Sequence, residues 1–357
     1  MTELPSIRSS LRGPRSVCIL RERIPWFGMR TGYEMLPRFL GENVTVVEPR
    51  ESLFGRAVGK AYSTLRRWPP RDQNATFAEL VLAMRSGLRR QSVVHLLYGE
   101  QHLQFLTGWK RAPRNWIATI HQPASCWTAD LLRPLKHLQS AIFLYEQEFD
   151  FFAQHLGGDR IRFVHHGVDT DFFSPGPASD RPDFRLLYSG LHLRNTEMLA
   201  RVVGKLHSAH PELRFDLLVP RHARSAPGLG SLQAHPAVTW HAGLNDEQLR
   251  ALYQRAYLLV LPMNNSGANT AVVEALASGL PLVTTDVGGI RDYGGGSIYP
   301  VVTNNNDDAM IALVERHLAQ PAWRDEIAAA GRRFAETTLA WPLVAARHLE
   351  AYRDLTQ

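Results

Sequence analysis

Residues 256–289 read AYLLVLPMNNSGANTAVVEALASGLPLVTTDVGG, and no other stretch restricts the fold as much. Residues 257–261 form a short apolar run whose length and aliphatic content suit a buried strand. Pro262 ends it, and a polar, glycine-containing loop follows over 263–268. Asn269 or Thr270 can cap a helix running to Ser278, with Gly279 as its stop. A second apolar run, 282–285, comes at once, and residues 286–289 turn out of it. The pattern is strand, loop, helix, strand, a unit that gathers ligands at the carboxyl ends of its strands.

The chemistry open to this unit is also legible. The N–H groups of Gly267, Ala268, Asn269 and Thr270 lie where the helix begins, and they can receive an anion such as a diphosphate. Glu274 falls among Val272, Val273, Ala275 and Leu276, where a carboxylate is costly unless something hydrogen-bonds to it. A sugar diol would serve, and so would donors from the protein itself. The residues alone leave both open.

Further apolar runs at 16–20, 93–98, 116–120, 141–145, 161–164, 186–189 and 215–219 read as strands. Helices are expected over 33–40, 51–68, 309–318, 323–334 and 341–355, and from residue 197. Asn245 and Gln248 have the spacing of a capping box for another helix, with Leu249, Leu252, Tyr253 and Ala256 on its apolar face. The loop after the first strand holds Gly28, Met29, Arg30, Thr31 and Gly32; its glycines permit close backbone approach, but their spacing is not G-x-G-x-x-G. The runs at 93–98 and 116–120 end in Gly99-Glu100-Gln101-His102 and His121-Gln122-Pro123. Glu100, His102 and His121 are thereby candidates for a crevice at strand ends. His165 and His166 point to opposite faces of a strand, which makes them poor joint metal ligands. Residues 176–183 have the composition of a linker.

Glu274-Ala-Leu-Ala-Ser-Gly-Leu-Pro281, the following Asp286-Val-Gly-Gly289, and His166-Gly-Val-Asp-Thr-Asp-Phe-Phe-Ser-Pro175 together resemble the family-4 (group 1) retaining glycosyltransferases of the GT-B fold. The resemblance implies an α/β protein with two Rossmann-like domains facing a cleft. Residues 1–175 would bind the acceptor and 184–338 the nucleotide-sugar, with a helix in 339–357 crossing back to the first domain. It gives Glu274 the ribose hydroxyls and places Gly190 and Arg221 at the nucleotide. Arg194 and the 267–270 amides fall on the diphosphate. The family's first Glu, which holds the donor sugar, is Ser266 here, so Asn264, Asn265 and Ser266 are expected around that sugar. His121 would orient the acceptor or steady the sugar. Gly28, Met29, Arg30, Thr31, Glu100 and His102 would line the acceptor side. The implied reaction moves a hexosyl unit from a nucleotide-sugar, UDP-linked or GDP-linked, to an acceptor hydroxyl with retention. A glycan, lipid-linked glycan or small molecule would be the acceptor. No metal and no cofactor are expected, because the nucleotide-sugar is a substrate. A sugar-nucleotide epimerase or phosphorylase, or a degenerate member that binds without turnover, would share the architecture.

Composition adds limits. The 357 residues suffice for two domains, and 45% apolar content is that of a globular protein. No apolar run approaches the roughly 20 residues needed to span a bilayer, and the first sixteen residues lack a signal-like apolar core. Cys18 and Cys126 cannot make a disulfide framework, so a cytoplasmic setting is expected. The net charge of +6 is uneven: residues 1–175 hold 23 Lys/Arg against 16 Asp/Glu, and the remainder 17 against 18. Within that basic half, Phe54, Val58, Tyr62 and Leu65 recur at helical spacing beside Arg56, Lys60, Arg66 and Arg67. Such a segment can rest on an anionic membrane surface or form an ordinary surface helix. Residues 108–116 add more basic and aromatic side chains. Neither segment resembles a nucleic-acid-binding motif.

Overall fold

The computed structural model describes residues 16–22, 24, 28–68, 71–88, 92–108, 115–177 and 184–355. Residues 178–183 of the linker expected over 176–183, the basic residues 109–114 and the first fifteen residues lie outside that set.

Among the described residues, twelve strands form two six-stranded sheets, parallel throughout. The first sheet takes β1 (Ser16–Leu20), β2 (Val44–Val47), β3 (Ser92–Leu96), β4 (Trp116–Ile120), β5 (Ser140–Phe143) and β6 (Ile161–Phe163) in the order β2-β1-β3-β4-β5-β6. The second takes β7 (Arg185–Ser189), β8 (Arg214–Leu218), β9 (Val238–His241), β10 (Leu258–Leu261), β11 (Leu282–Thr285) and β12 (Val301–Val302) in the order β12-β11-β10-β7-β8-β9. In each sheet the chain lays strands to one side of the first and then reverses to the other. The reversals fall between β1 and β3 and between β7 and β10. A crevice opens at the carboxyl ends of strands where such an order reverses. The loops after β1, β3, β7 and β10 therefore border those crevices.

Interior strands are apolar because helices cover both faces; every residue of β4, β5, β10 and β11 is buried. The edge strands β2, β6, β9 and β12 are mostly half-buried. The helix Thr270–Ala277 is buried from Ala271 onward, which explains its Ala and Val content. Its last carbonyls would be orphaned in the interior. Arg332 Nη1 donates to Ala277 O at 2.5 Å, and also to Thr170 O and Phe173 O.

Three local expectations change. Residues 33–40 form a 3₁₀ helix, Tyr33–Phe39, with Pro37 inside it; proline lacks the N–H that a continued α-helix needs. The helix at 51–68 runs Leu53–Leu65 and turns Gly55, Gly59 and Ser63 inward, leaving Phe54 and Leu65 exposed. A further helix, Gln73–Leu88, packs beneath it.

The chain returns to the first domain at its end. The helix Trp341–Asp354 buries Trp341, Val344, Ala345, Ala351 and Tyr352 in a cluster with Val17, Ile19, Tyr33 and Ile142. Buried polar contacts fix its register: His348 Nε2 meets Tyr33 Oη at 2.6 Å and His95 Nδ1 meets Tyr352 Oη at 2.6 Å. The outgoing and returning passages touch. Val168 N–H donates to Leu339 O at 2.8 Å, and Trp341 N–H donates back to Val168 O at 3.2 Å.

Candidate active site

The second domain brings the loops after β7 and β10 together. Asn195 N–H donates to Pro262 O and Asn264 N–H to Leu193 O. Arg194 lies between them, half-buried. Its Nε donates to Ser189 O at 3.0 Å, Nη1 to His192 O at 3.2 Å and Nη2 to Asn269 Oδ1 at 3.2 Å, with the guanidinium against Gly190. Burial lowers its pKa. Asn269 also caps the Thr270–Ala277 helix through Ala271 N–H. Arg194, Gly190 and the 267–270 turn are thus one unit. Among the described residues, the N–H groups of Gly267, Ala268, Asn269 and Thr270 donate to no protein acceptor, so the turn presents donors next to a guanidinium.

Glu274, one turn along that helix, is buried. Burial pushes its carboxyl up to about 7, against the lowering effect of the Thr31 and Tyr253 hydroxyls. Oε1 accepts a short hydrogen bond from Thr31 Oγ1, which belongs to the loop after β1 in the other domain. The same loop is held twice more. Met29 N–H donates to Asp246 Oδ2 at 2.8 Å, and Arg30 Nη1 meets Asp169 Oδ2 at 3.0 Å. Gly28 is needed here, since a Cβ would collide with the Asp246 carboxylate.

His121 ends β4. Its Nε2–H donates to Leu97 O at 2.8 Å, its ring stacks on Tyr98 with centroids 4.5 Å apart, and Tyr33 meets it edge-on. Burial holds its pKa down at about 3. The ring is neutral with Nε2 protonated, which leaves Nδ1 an acceptor. The His121 carbonyl lies against Gly267, where a Cβ would collide with it. First-domain histidine and second-domain turn are therefore in contact. Glu100 works from below: one oxygen accepts the N–H of both His121 and Gln122 and so fixes the turn that carries the histidine. Burial pushes the Glu100 carboxyl up to about 7.

Several expected residues stand elsewhere. His102 is wholly buried, with Nδ1 2.9 Å from Glu79 Oε1, so it packs inside the first domain rather than lining an acceptor surface. Ser266 is also buried, and its hydroxyl donates to Gly267 O at 2.8 Å. A shape requirement of the turn therefore consumes it, and only Asn264 and Asn265 of the trio reach the surface. Arg221 is exposed on the short helix Arg221–Ala223 after β8 and makes no hydrogen bond or ion pair to this cluster among the described residues. Other partners carry no local sequence signal: Asp246, Tyr253, and the pair His192 and Gln122, whose Nε2 and Oε1 meet across the cleft at 2.7 Å. Asp246 sits in the capping-box segment, which reads as a helix start and nothing more.

Comparison with known proteins shows the fold. Over 95% of this chain and 100% of the other, the structure is similar to Anabaena HepE in complex with UDP and glucose (TM-score 0.73, 12% identity). Sucrose-phosphate synthase from Thermosynechococcus elongatus is similar over 96% and 99% (TM-score 0.73, 18% identity). The fold is GT-B, two Rossmann-like domains closed on a cleft with a helix crossing back. Residues 184–320 match the family model described as "Glycosyl transferases group 1". Similar sequences include the MMP alpha-(1->4)-mannosyltransferase of Mycolicibacterium hassiacum, 27% identical over 198 residues, which are 54% of this chain and 48% of that protein. The D-inositol 3-phosphate glycosyltransferase of Nocardiopsis dassonvillei is 28% identical over 227 residues, 57% of this chain and 53% of that one. The chain spans about half the length of the relatives it matches. The second domain is thus similar to the group 1 glycosyltransferases.

Proposed function

We propose that the protein transfers a hexosyl unit from a UDP-sugar to an acceptor hydroxyl with retention at the anomeric carbon. One observation carries this reading: Arg194, the free amides of the 267–270 turn and the Glu274 carboxylate gather at the order reversal of the second sheet, against His121 of the first. Glu274 holds the ribose hydroxyls once Thr31 gives up the carboxylate. Arg194 and the four N–H groups take the charge that collects on the departing diphosphate, where fixed donors act most strongly. That arrangement calls on no divalent metal, so chelators leave turnover unchanged. Asn264 and Asn265 contact the donor sugar. His121, neutral and fixed in orientation, offers Nδ1 to a sugar or acceptor hydroxyl. Retention follows from the likeness of residues 274–281 to the retaining family. HepE is described with UDP and glucose, and that supports uridine as the base.

Incubation with a panel of nucleotide-sugars tests the proposal. Slow release of UDP from one UDP-sugar, quickened by the right hydroxyl acceptor, is the expected result. Interconversion of sugars without nucleotide release would make the protein an epimerase. Binding without any turnover across the panel and a range of acceptors would end the transferase reading.

A further inference from the structure

The helix Leu53–Leu65 packs the wrong way round for a surface helix. Its inward face is Gly55, Gly59 and Ser63, small residues that let it lie close on the helix Gln73–Leu88. A Cβ at Gly59 would strike Gln73 O, and Ser63 Oγ donates to Gln73 Oε1 at 3.2 Å. With one face closed by small residues, the large ones point out: Leu53 is 85% exposed, Phe54 70% and Leu65 79%. Ala57 and Ala61, also exposed, continue that face between them. Met84 of the neighbouring helix adds a side chain 62% exposed. Arg56 and Lys60 flank the apolar stripe, and Arg66 and Arg67 follow its end, all exposed. The helix contains no acidic residue; Glu51, just before it, reaches Arg56 at 3.4 Å.

We propose that this face seats the protein on an anionic lipid bilayer. Separate protruding apolar side chains with cations beside them suit a headgroup layer: the apolar groups enter the acyl boundary while Arg and Lys stay at phosphate depth. A protein partner fits less well, because interface cores are depleted in lysine and would leave these cations unpaired. The helix crosses the first turns of Gln73–Leu88, and that end of the domain is tied by Arg71 Nη2 to Gln101 O just beyond β3. The bilayer therefore lies at the carboxyl end of the first sheet, beside the cleft. The inference goes beyond the proposed reaction and does not depend on it.

Co-sedimentation of the full chain with vesicles tests it without any turnover. Binding is expected to mixed phosphatidylcholine and phosphatidylglycerol, weakening with salt, and not to phosphatidylcholine alone. The triple change Leu53→Ser, Phe54→Ser, Leu65→Ser and the double change Arg56→Glu, Lys60→Glu should each reduce binding roughly tenfold or more. Thermal melting should stay near wild type in both, since these side chains are exposed. No sedimentation, equal binding to neutral vesicles, or unaltered binding by both variants would overturn the proposal. Self-association lost in the variants without any vesicle binding would overturn it in favour of a second copy of the chain.

Discussion

The two sides of the cleft are built differently. On the second domain, Glu274, Asn269 and Arg194 stand on a buried helix and on loops cross-linked by backbone hydrogen bonds. On the first, the loop carrying Met29, Arg30 and Thr31 is exposed at its tip, and the contacts that hold it come from Asp246, Asp169 and Glu274. The second-domain side is fixed by its own core, whereas the loop at 28–32 leans on Asp246 and Glu274 of the second domain and on Asp169 of the first. A site that must grip one leaving group benefits from the first arrangement. One that admits and releases an acceptor benefits from the second.

The most severe way to break the fixed side is Arg194→Ala. Turnover should fall about 100-fold to 1,000-fold, more than UDP affinity does, because the interaction grows as the diphosphate leaves. Equal losses in steady-state turnover and calorimetric affinity would mean that the guanidinium only binds. Glu274→Ala should cost about 100-fold in UDP affinity, the size expected when a buried charged hydrogen-bond acceptor is removed, with circular dichroism unchanged. Unaltered affinity would take the ribose away from Glu274.

Asp246→Ala addresses the borrowed side. The amide of Met29 should exchange with solvent roughly tenfold faster, while amides in Thr270–Ala277 keep their protection. If both regions loosen together, the distinction between them fails. The smallest effects are those of pH. With Glu274 raised to about 7, ribose hydroxyls meet its ionised form only above that value, so UDP affinity should rise a few-fold between about pH 6 and 8. Glu274→Gln should flatten the rise. His348 and His166 are held neutral, each lowered to about 4 by burial. Their folded pKa values lie below the unfolded value, so below about pH 6.5 the unfolded chain binds more protons. Stability from these groups is complete above pH 6.5 and is lost as pH falls towards 4. Melting temperature followed over that window should fall, and less steeply in His348→Gln.

Much of the fold was legible because interior strands of a parallel sheet are continuous apolar runs. All nine strands read from sequence appear, three with the expected bounds and the others within two residues of them. Val44–Val47, Val238–His241 and Val301–Val302 are edge strands of two to four residues, half in solvent; the fourth edge strand, Ile161–Phe163, is as exposed but was legible. The helix-borne part of the site, Glu274 and the turn before it, was readable from caps and spacing. Asp246, His192 and Gln122 were not, since their partners are 70 or more positions away and nothing local marks them. Ser266 misled for a related reason: a hydroxyl in a polar loop looks available until its backbone acceptor is seen. The Leu53–Leu65 helix was read by its aromatic spacing, while the glycine stripe decided which way it faces.

The main chain passes between the domains twice, and at Val168 the two passages are hydrogen-bonded side by side. Paired strands of backbone resist shearing and twisting against each other far more than they resist folding along their length. A rotation about that seam, as covers turn about a binding, would carry the parts farthest from Val168 the most. The loop of Gly28 and Met29 lies close to that seam, since Arg30 pairs with Asp169, the residue after Val168, so a turn there moves the loop least and leaves Thr31 to release the Glu274 carboxylate by a local change of its own.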